Sequence, residues 1–142
     1  MKRLILCLGN EIAGDDGVGI YIGKKLKGWV KGWEVKISTK AGFYLLEDME
    51  GYEEVILVDS LISRGGRVGE IVEGEFSTDR PGTSPHLLSL PQALALGKQL
   101  GLSLPHKIRF LAITIPPPSF GEGLSKQVRE AAERALKKLS SL

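Results

Sequence analysis

Three carboxylates stand in the first glycine-rich turn of the chain, where a phosphate-binding loop would carry neutral or basic groups. The apolar run 4–8 ends at Gly9, and Glu11, Asp15 and Asp16 follow with no Lys or Arg among them. A strand, a glycine-rich turn and the start of a helix are typical of a phosphate site. Carboxylates repel phosphate, and their oxygens are ligands of hard and borderline metal ions. The turn therefore predicts a site for a metal, or for a partner that carries one.

Two further metal-capable side chains come later in the chain. Asp59 follows the apolar run 55–58, and His86 precedes a leucine-rich helical stretch. In parallel α/β folds, ligands gather at the carboxyl ends of the strands. Asp16, Asp59 and His86 are therefore candidates to converge on one borderline divalent ion, with open positions for a partner. The other histidine, His106, precedes a strand and is interpreted as structural.

Each candidate also has an ordinary structural interpretation. Asp15 or Asp16 suits the N-cap of the following helix. Asp59 suits a turn or cap at the end of a strand, and His86 suits an ordinary loop. Asn10, the only Asn in the chain, tolerates a left-handed turn. Singly, these interpretations are favoured; together, at one edge of a sheet, the residues favour a site.

Apolar periodicity predicts strands that alternate with helices along the whole chain. Strands are predicted at 3–8, 33–37, 54–59, 68–74 and 107–115, with 68–74 at a sheet edge. Helices are predicted at 16–29, at 43–49, from 87 or 91 to 100, and at 124–139. The pattern predicts one α/β domain over 1–142, a three-layer α/β/α sandwich with a mostly parallel, twisted sheet of about five strands.

Composition narrows the class of protein. The formal charge of the 142 residues is +2, and nothing in this balance calls for nucleic acid. The single cysteine, Cys7, lies in an apolar strand, so a buried thiol is expected rather than a disulfide. The N-terminal apolar run is too short for a signal peptide or a membrane span. We expect a soluble, cytoplasmic protein that is a monomer or a weak homo-oligomer.

The common hydrolase signatures are missing from the sequence. It contains no Gly-x-Ser-x-Gly elbow and no His-Glu-x-x-His pair. Asp59 and Ser60 are faintly similar to the Asp-Thr-Gly of aspartic peptidases, but Leu61 replaces the glycine. Any chemistry is therefore expected from carboxylates and a metal.

Taken together, these motifs resemble those of the hydrogenase maturation endopeptidases over nearly the whole chain. The opening Gly9-Asn10 followed by 15–19 is similar to the family's G-N-x-x-x-x-D-[DE]-G-x-G. Asp59 is similar to the family's central aspartate, and 84–86 to its histidine segment. The run 117–125 resembles its glycine-containing C-terminal loop.

The resemblance implies an activity and a partner. Family members trim a C-terminal extension from the large-subunit precursor of a nickel–iron hydrogenase after nickel insertion. It implies that Asp16, Asp59 and His86 contact the substrate's nickel and that the two aspartates are catalytic. Gly9, Asn10 and Asp15 are assigned to substrate binding.

The same resemblance implies that the nickel arrives with the substrate, so that the protein needs no metal of its own. The family often has Glu at this position. Asp16 is one methylene shorter than Glu, so its reach to the metal differs, but it keeps the oxygen ligand. The loop 77–85 is a candidate for client specificity.

Several alternatives stay open at the level of sequence. The metal could polarise the scissile carbonyl or activate water, a carboxylate could act as general base, or the metal could only position the tail. A non-cleaving chaperone that checks the metal on the large subunit is the main rival. Leu8-Gly9-Asn10 also resembles the start of peptidyl-tRNA hydrolases, but the acidic loop would repel an RNA backbone.

Overall fold

The fold is built from five strands and four α-helices in the part of the chain that the structure describes. The structure is a computed structural model, and it describes residues 2–63, 65–75, 90–121 and 123–142. The strands are β1 (Arg3–Leu8), β2 (Glu34–Ser38), β3 (Glu54–Ile62), β4 (Ile71–Glu75) and β5 (Lys107–Ile115). The helices are α1 (Val18–Leu26), α2 (Leu46–Met49), α3 (Leu90–Gln99) and α4 (Lys126–Ser140), with 3₁₀ turns at Gly14–Gly17 and Gly42–Leu45.

The strands form one sheet in the order β2-β1-β3-β5-β4. The first four strands in this order are parallel, and β4 pairs antiparallel with β5 at the edge. The central strands β1, β3 and β5 carry long apolar runs because helices cover both of their faces. The predicted α/β sandwich with a mostly parallel sheet of about five strands is confirmed.

Alternation along the strands divides the core into two layers. On β3, Ile56 and Val58 face α1 and α4, whereas Val55 and Leu57 face α2 and α3. α4 packs through its small and aliphatic residues, which are Val128, Ala131, Ala132, Ala135, Leu136 and Leu139. In each layer, two helices therefore bury their apolar faces against the sheet. This packing fixes the orientation of the strand ends.

A close helix–strand approach sets the position of α1. A Cβ built on Gly19 would lie 2.0 Å from the carbonyl oxygen of Leu8 and 2.8 Å from that of Val58. Only a residue without a side chain fits between these two backbones. Gly19 therefore lets the first turn of α1 rest directly on the end of β1 and the middle of β3, beside the predicted site.

The predicted boundaries hold best for the strands. β5 spans the predicted 107–115, and β4 lies at the predicted sheet edge. The helix predicted at 16–29 is wrong at both ends: a 3₁₀ turn precedes α1, and α1 ends at Leu26, two residues before Gly28 with φ +85°. The predicted loop at 77–85 lies outside the described residues. No described helix has both the length and the apolar character needed to cross a membrane.

Candidate active site

Asp16 and Asp59 are buried at the carboxyl end of the sheet. Asp16 lies in the 3₁₀ turn that follows β1 and is 6% exposed; Asp59 lies on β3 and is 1% exposed. The prediction that Asp59 ends its strand is wrong, because β3 continues to Ile62 against β5. β1 is the shorter strand, and its last pair with β3 is Cys7 with Val58. Asp59 therefore lies level with the last residue of β1, close to the 3₁₀ turn that carries Asp16.

Ser60 connects the two carboxylates. Its hydroxyl donates to Oδ1 of Asp16 at 2.6 Å, and its backbone N–H donates to Oδ1 of Asp59 at 2.7 Å. Ser60 is itself 1% exposed. The structure thus brings the two predicted catalytic aspartates together through one residue that the sequence interpretation did not assign. The available signal was the one hydroxyl in β3, directly after the candidate aspartate.

Gly9 and Asn10 shape the turn that presents Asp16. The Asn10 N–H donates to the carbonyl oxygen of Asp16 at 3.2 Å, and a Cβ on Gly9 would lie 2.5 Å from that same oxygen. The side-chain Oδ1 of Asn10 accepts from the Ile12 N–H at 3.2 Å. The left-handed turn considered for Asn10 is wrong, because no described non-glycine residue has positive φ. Both residues hold the backbone around Asp16, and their role in substrate binding stays a prediction.

Asp15 ties the acidic turn to the start of α4. Its Oδ1 accepts from the Ser125 N–H at 2.7 Å, directly before α4. The backbones of the same two loops also pair, with Gly14 N–H donating to Gly121 O at 2.7 Å and Gly121 N–H donating to Ile12 O at 2.8 Å. The glycine-containing C-terminal loop therefore packs against the acidic turn. Asp15 has a visible structural task, and its assignment to substrate binding stays a prediction.

The remaining acidic group of the turn points away from the site. Glu11 forms an exposed ion pair with Lys24 at 2.7 Å. The N-cap interpretation of Asp15 and Asp16 is wrong, because neither the 3₁₀ turn nor α1 has a side-chain cap. Their carboxylates instead bond Ser125 and Ser60. The acidic turn therefore contributes one buried carboxylate, not three, to the pair.

The negative charge of Asp59 contributes to a pKa shift on the neighbouring strand β1. Cys7 is a free, buried cysteine, as predicted. Burial in the core, together with the nearby negative charge of Asp59, raises the pKa of the Cys7 thiol from 9.0 to about 12. The thiol therefore stays protonated at neutral pH and behaves as a small apolar side chain rather than as a nucleophile.

The third predicted metal contact, His86, lies outside the described residues. Within the described ranges, no cluster of three or more His, Cys, Asp or Glu side chains suited to a metal ion is found. Asp16 and Asp59 offer two buried carboxylates on neighbouring elements. Carboxylate oxygens can ligate a divalent cation, and a carboxylate can also accept a proton from water.

Relatives of known name and structure resemble the chain over nearly its full length. It is 33% identical over 135 residues to Protein FrxA of Pyrococcus furiosus, which covers 91% of the chain and 96% of that protein. The [NiFe] hydrogenase maturation protease HybD from Thermococcus kodakarensis superposes with a TM-score of 0.77 at 27% identity, covering 99% of the chain and 98% of that protein. No protein-family model matches the chain.

A third relative has the same fold at lower sequence identity. The hydrogenase maturating endopeptidase HybD from E. coli superposes with a TM-score of 0.82 at 24% identity, covering 97% of the chain and 89% of that protein. The fold, the buried aspartate pair and these similarities all indicate the same family. The chain belongs to the hydrogenase maturation endopeptidase family, and its activity class is that of a peptidase, a hydrolase acting on peptide bonds.

Proposed function

We propose that this protein is the endopeptidase that removes the C-terminal extension of a nickel–iron hydrogenase large-subunit precursor after nickel insertion. The observation that carries the proposal is the pair of buried carboxylates, Asp16 and Asp59, joined through Ser60 at the carboxyl end of the sheet. The similar protein from Thermococcus kodakarensis is a [NiFe] hydrogenase maturation protease, which supports this class of client. The protein acts in the cytoplasm in this proposal.

The carboxylate pair suits recognition of a cation that enters with the substrate. Two carboxylates buried beside the same residue are costly to desolvate, and a divalent cation bound by them would offset that cost. We assign Asp16, Asp59 and His86 as contacts to the substrate's nickel, with His86 retained from the sequence. The nickel belongs to the client, so the protein binds it only while the client is docked.

Hydrolysis requires a proton acceptor as well as correct placement. In the proposed reaction, a water oxygen attacks the carbonyl carbon of the scissile bond, a carboxylate oxygen accepts the water's proton, and the proton passes to the leaving amine. Anchoring the client's metal at Asp16 and Asp59 places the scissile bond near this base, which supplies proximity and orientation. The chain thus provides both a docking contact and a base from one pair of side chains.

The experiment measures the intact mass of a large-subunit precursor from the same organism, nickel-loaded or nickel-free, after incubation with this protein. We expect loss of one discrete C-terminal peptide from the nickel-loaded form alone. Equal cleavage of both forms would contradict nickel recognition and leave the peptidase assignment standing. A stable complex with no mass change would contradict cleavage and favour a docking chaperone.

The separate roles of ligand and base can be tested with amide variants. Asn retains a side-chain oxygen that can contact a metal but is not a base. If Asp16 is the base, Asp16→Asn retains a nickel-dependent complex with the precursor and loses cleavage. If Asp16 serves mainly as a charged ligand, the complex itself weakens, which size-exclusion chromatography of the mixture detects.

A further inference from the structure

Ser60 is a polar residue at a position where the fold by itself requires none. It lies on β3 among apolar neighbours, and the side chains on its face of the strand, Ile56, Val58 and Ile62, pack toward α1 and α4. Ser60 is 1% exposed. A buried hydroxyl is unfavourable unless it is hydrogen-bonded, and an alanine methyl would fit the same space. The hydroxyl therefore points to a role beyond packing.

Ser60 bonds the two aspartates through different groups, Asp16 through its hydroxyl and Asp59 through its backbone N–H. The 2.6 Å distance from Ser60 Oγ to Asp16 Oδ1 is in the range of a hydroxyl that donates to an ionised carboxylate. The 2.7 Å bond from the Ser60 N–H to Asp59 Oδ1 is made by the backbone and survives any side-chain substitution except proline. The hydroxyl therefore controls Asp16 selectively.

We propose that Ser60 is a positioning residue that fixes the orientation of the Asp16 carboxylate for the reaction, an inference that rests on the proposed function. Asp16 belongs to a 3₁₀ turn and Ser60 to a strand, 44 residues apart in the chain. Holding Oδ1 of Asp16 sets the plane of the carboxylate and hence the direction of Oδ2. Reacting groups must be held within fractions of an ångström. This bond can hold Asp16 so closely because it joins the turn to the rigid centre of the sheet.

The test compares Ser60→Ala, Ser60→Thr and Ser60→Cys in the mass assay with nickel-loaded precursor. Loss of an outer partner of a ligating or catalytic carboxylate costs about 10- to 100-fold. We expect kcat/KM to fall by that factor in Ser60→Ala, to recover to within about threefold of wild type in Ser60→Thr, and to be intermediate in Ser60→Cys because a thiol is a weak donor. Ser38→Ala is the matched control: Ser38 is a buried serine whose Oγ accepts from the Lys40 N–H.

A role in packing alone predicts the opposite order. Alanine and cysteine would then be tolerated, and threonine would be the worst variant because it adds a methyl group to a filled core. Full activity of Ser60→Ala would overturn the proposal. Thermal unfolding of each variant separates loss of the folded protein from loss of rate.

A crystal structure of Ser60→Ala provides a readout that needs no client. We expect the Asp16 carboxylate to rotate away from its wild-type orientation while Asp59 keeps its place. An unmoved Asp16 would overturn positioning, whatever the activity. If wild-type protein fails to cleave any loaded precursor, the proposed function fails, whereas this structural comparison still decides the role of Ser60.

Discussion

Replacing Gly19 with alanine should damage both the fold and the site, because α1 rests directly on the backbones of β1 and β3 at this residue. The added Cβ would lie 2.0 Å from the Leu8 carbonyl oxygen and 2.8 Å from the Val58 carbonyl oxygen. Contacts shorter than 3.0 Å essentially never occur for a Cβ, so the helix must move by about 1 Å relative to β1. Both obstacles are backbone atoms, so no side-chain rotation can relieve them.

The magnitude follows from two opposing terms. Alanine in place of glycine favours a helix by about 1 kcal/mol, whereas overpacking costs about 1–3 kcal/mol and more against a fixed backbone. We expect the free energy of unfolding of Gly19→Ala to fall by at least about 2 kcal/mol, which lowers Tm by roughly 6–8 °C for a chain of this size. Because the turn bearing Asp16 runs directly into α1, a 1 Å displacement should also lower the cleavage rate about 100-fold.

Urea and thermal unfolding measure the stability change, and intact mass measures processing of the precursor. Gly66→Ala is the matched control, because a Cβ there meets only the Ser63 hydroxyl, at 2.9 Å, and this flexible side chain can rotate away. Gly66→Ala should unfold and process like wild type. A Gly19→Ala variant within 2 °C of the wild-type Tm and within threefold of its rate, on the order of the assay errors, would refute the reasoning from close approach.

Two further predictions concern the contacts around the site. Asp15→Ala removes the acceptor of the Ser125 N–H. A charge-assisted bond of this kind is worth about 1.5–3 kcal/mol, so at this partly exposed position we expect the free energy of unfolding in urea to fall by about 1–2 kcal/mol. A fall below about 0.3 kcal/mol would contradict this prediction. The raised pKa of Cys7, about 12 in the fold against 9.0 ordinarily, means that the native state keeps its proton after the unfolded chain has lost it. The free energy of unfolding should therefore fall as the pH rises from about 9 toward about 12, and Cys7→Ala should flatten that fall in urea titrations at pH 8 to 10.5; an unchanged slope would contradict it.

The sheet could be predicted because its strands are buried on both faces. Such strands are long apolar runs, and β5 emerges with the predicted bounds. The end of α1 was predicted too late because lysines and Trp29 continue the helical spacing, whereas Gly28 takes positive φ and turns the chain. Local backbone geometry, rather than hydrophobic pattern, decides that boundary.

The site could be predicted only as far as residue types reveal it. Asp16 was predicted because carboxylates are unexpected in a glycine-rich turn, and Asp59 because it follows an apolar run; the structure links both carboxylates to Ser60. The part played by Ser60 depends on a contact across 44 residues, which no spacing in the sequence encodes. Whether Asp15 binds substrate likewise depends on tertiary contacts, and the structure shows its carboxylate on Ser125.

The most direct test is a side-by-side time course of nickel-loaded precursor with wild-type protein, Asp16→Asn, Asp59→Asn and Glu11→Gln, read by intact mass. Glu11→Gln makes the same carboxylate-to-amide change in the same loop, on an exposed side chain paired with Lys24. If the buried aspartate pair performs the cleavage, wild type and Glu11→Gln release the C-terminal peptide at equal rates, and both aspartate variants are slower by at least about 100-fold. Cleavage at the wild-type rate by either aspartate variant would contradict the assignment of the active site.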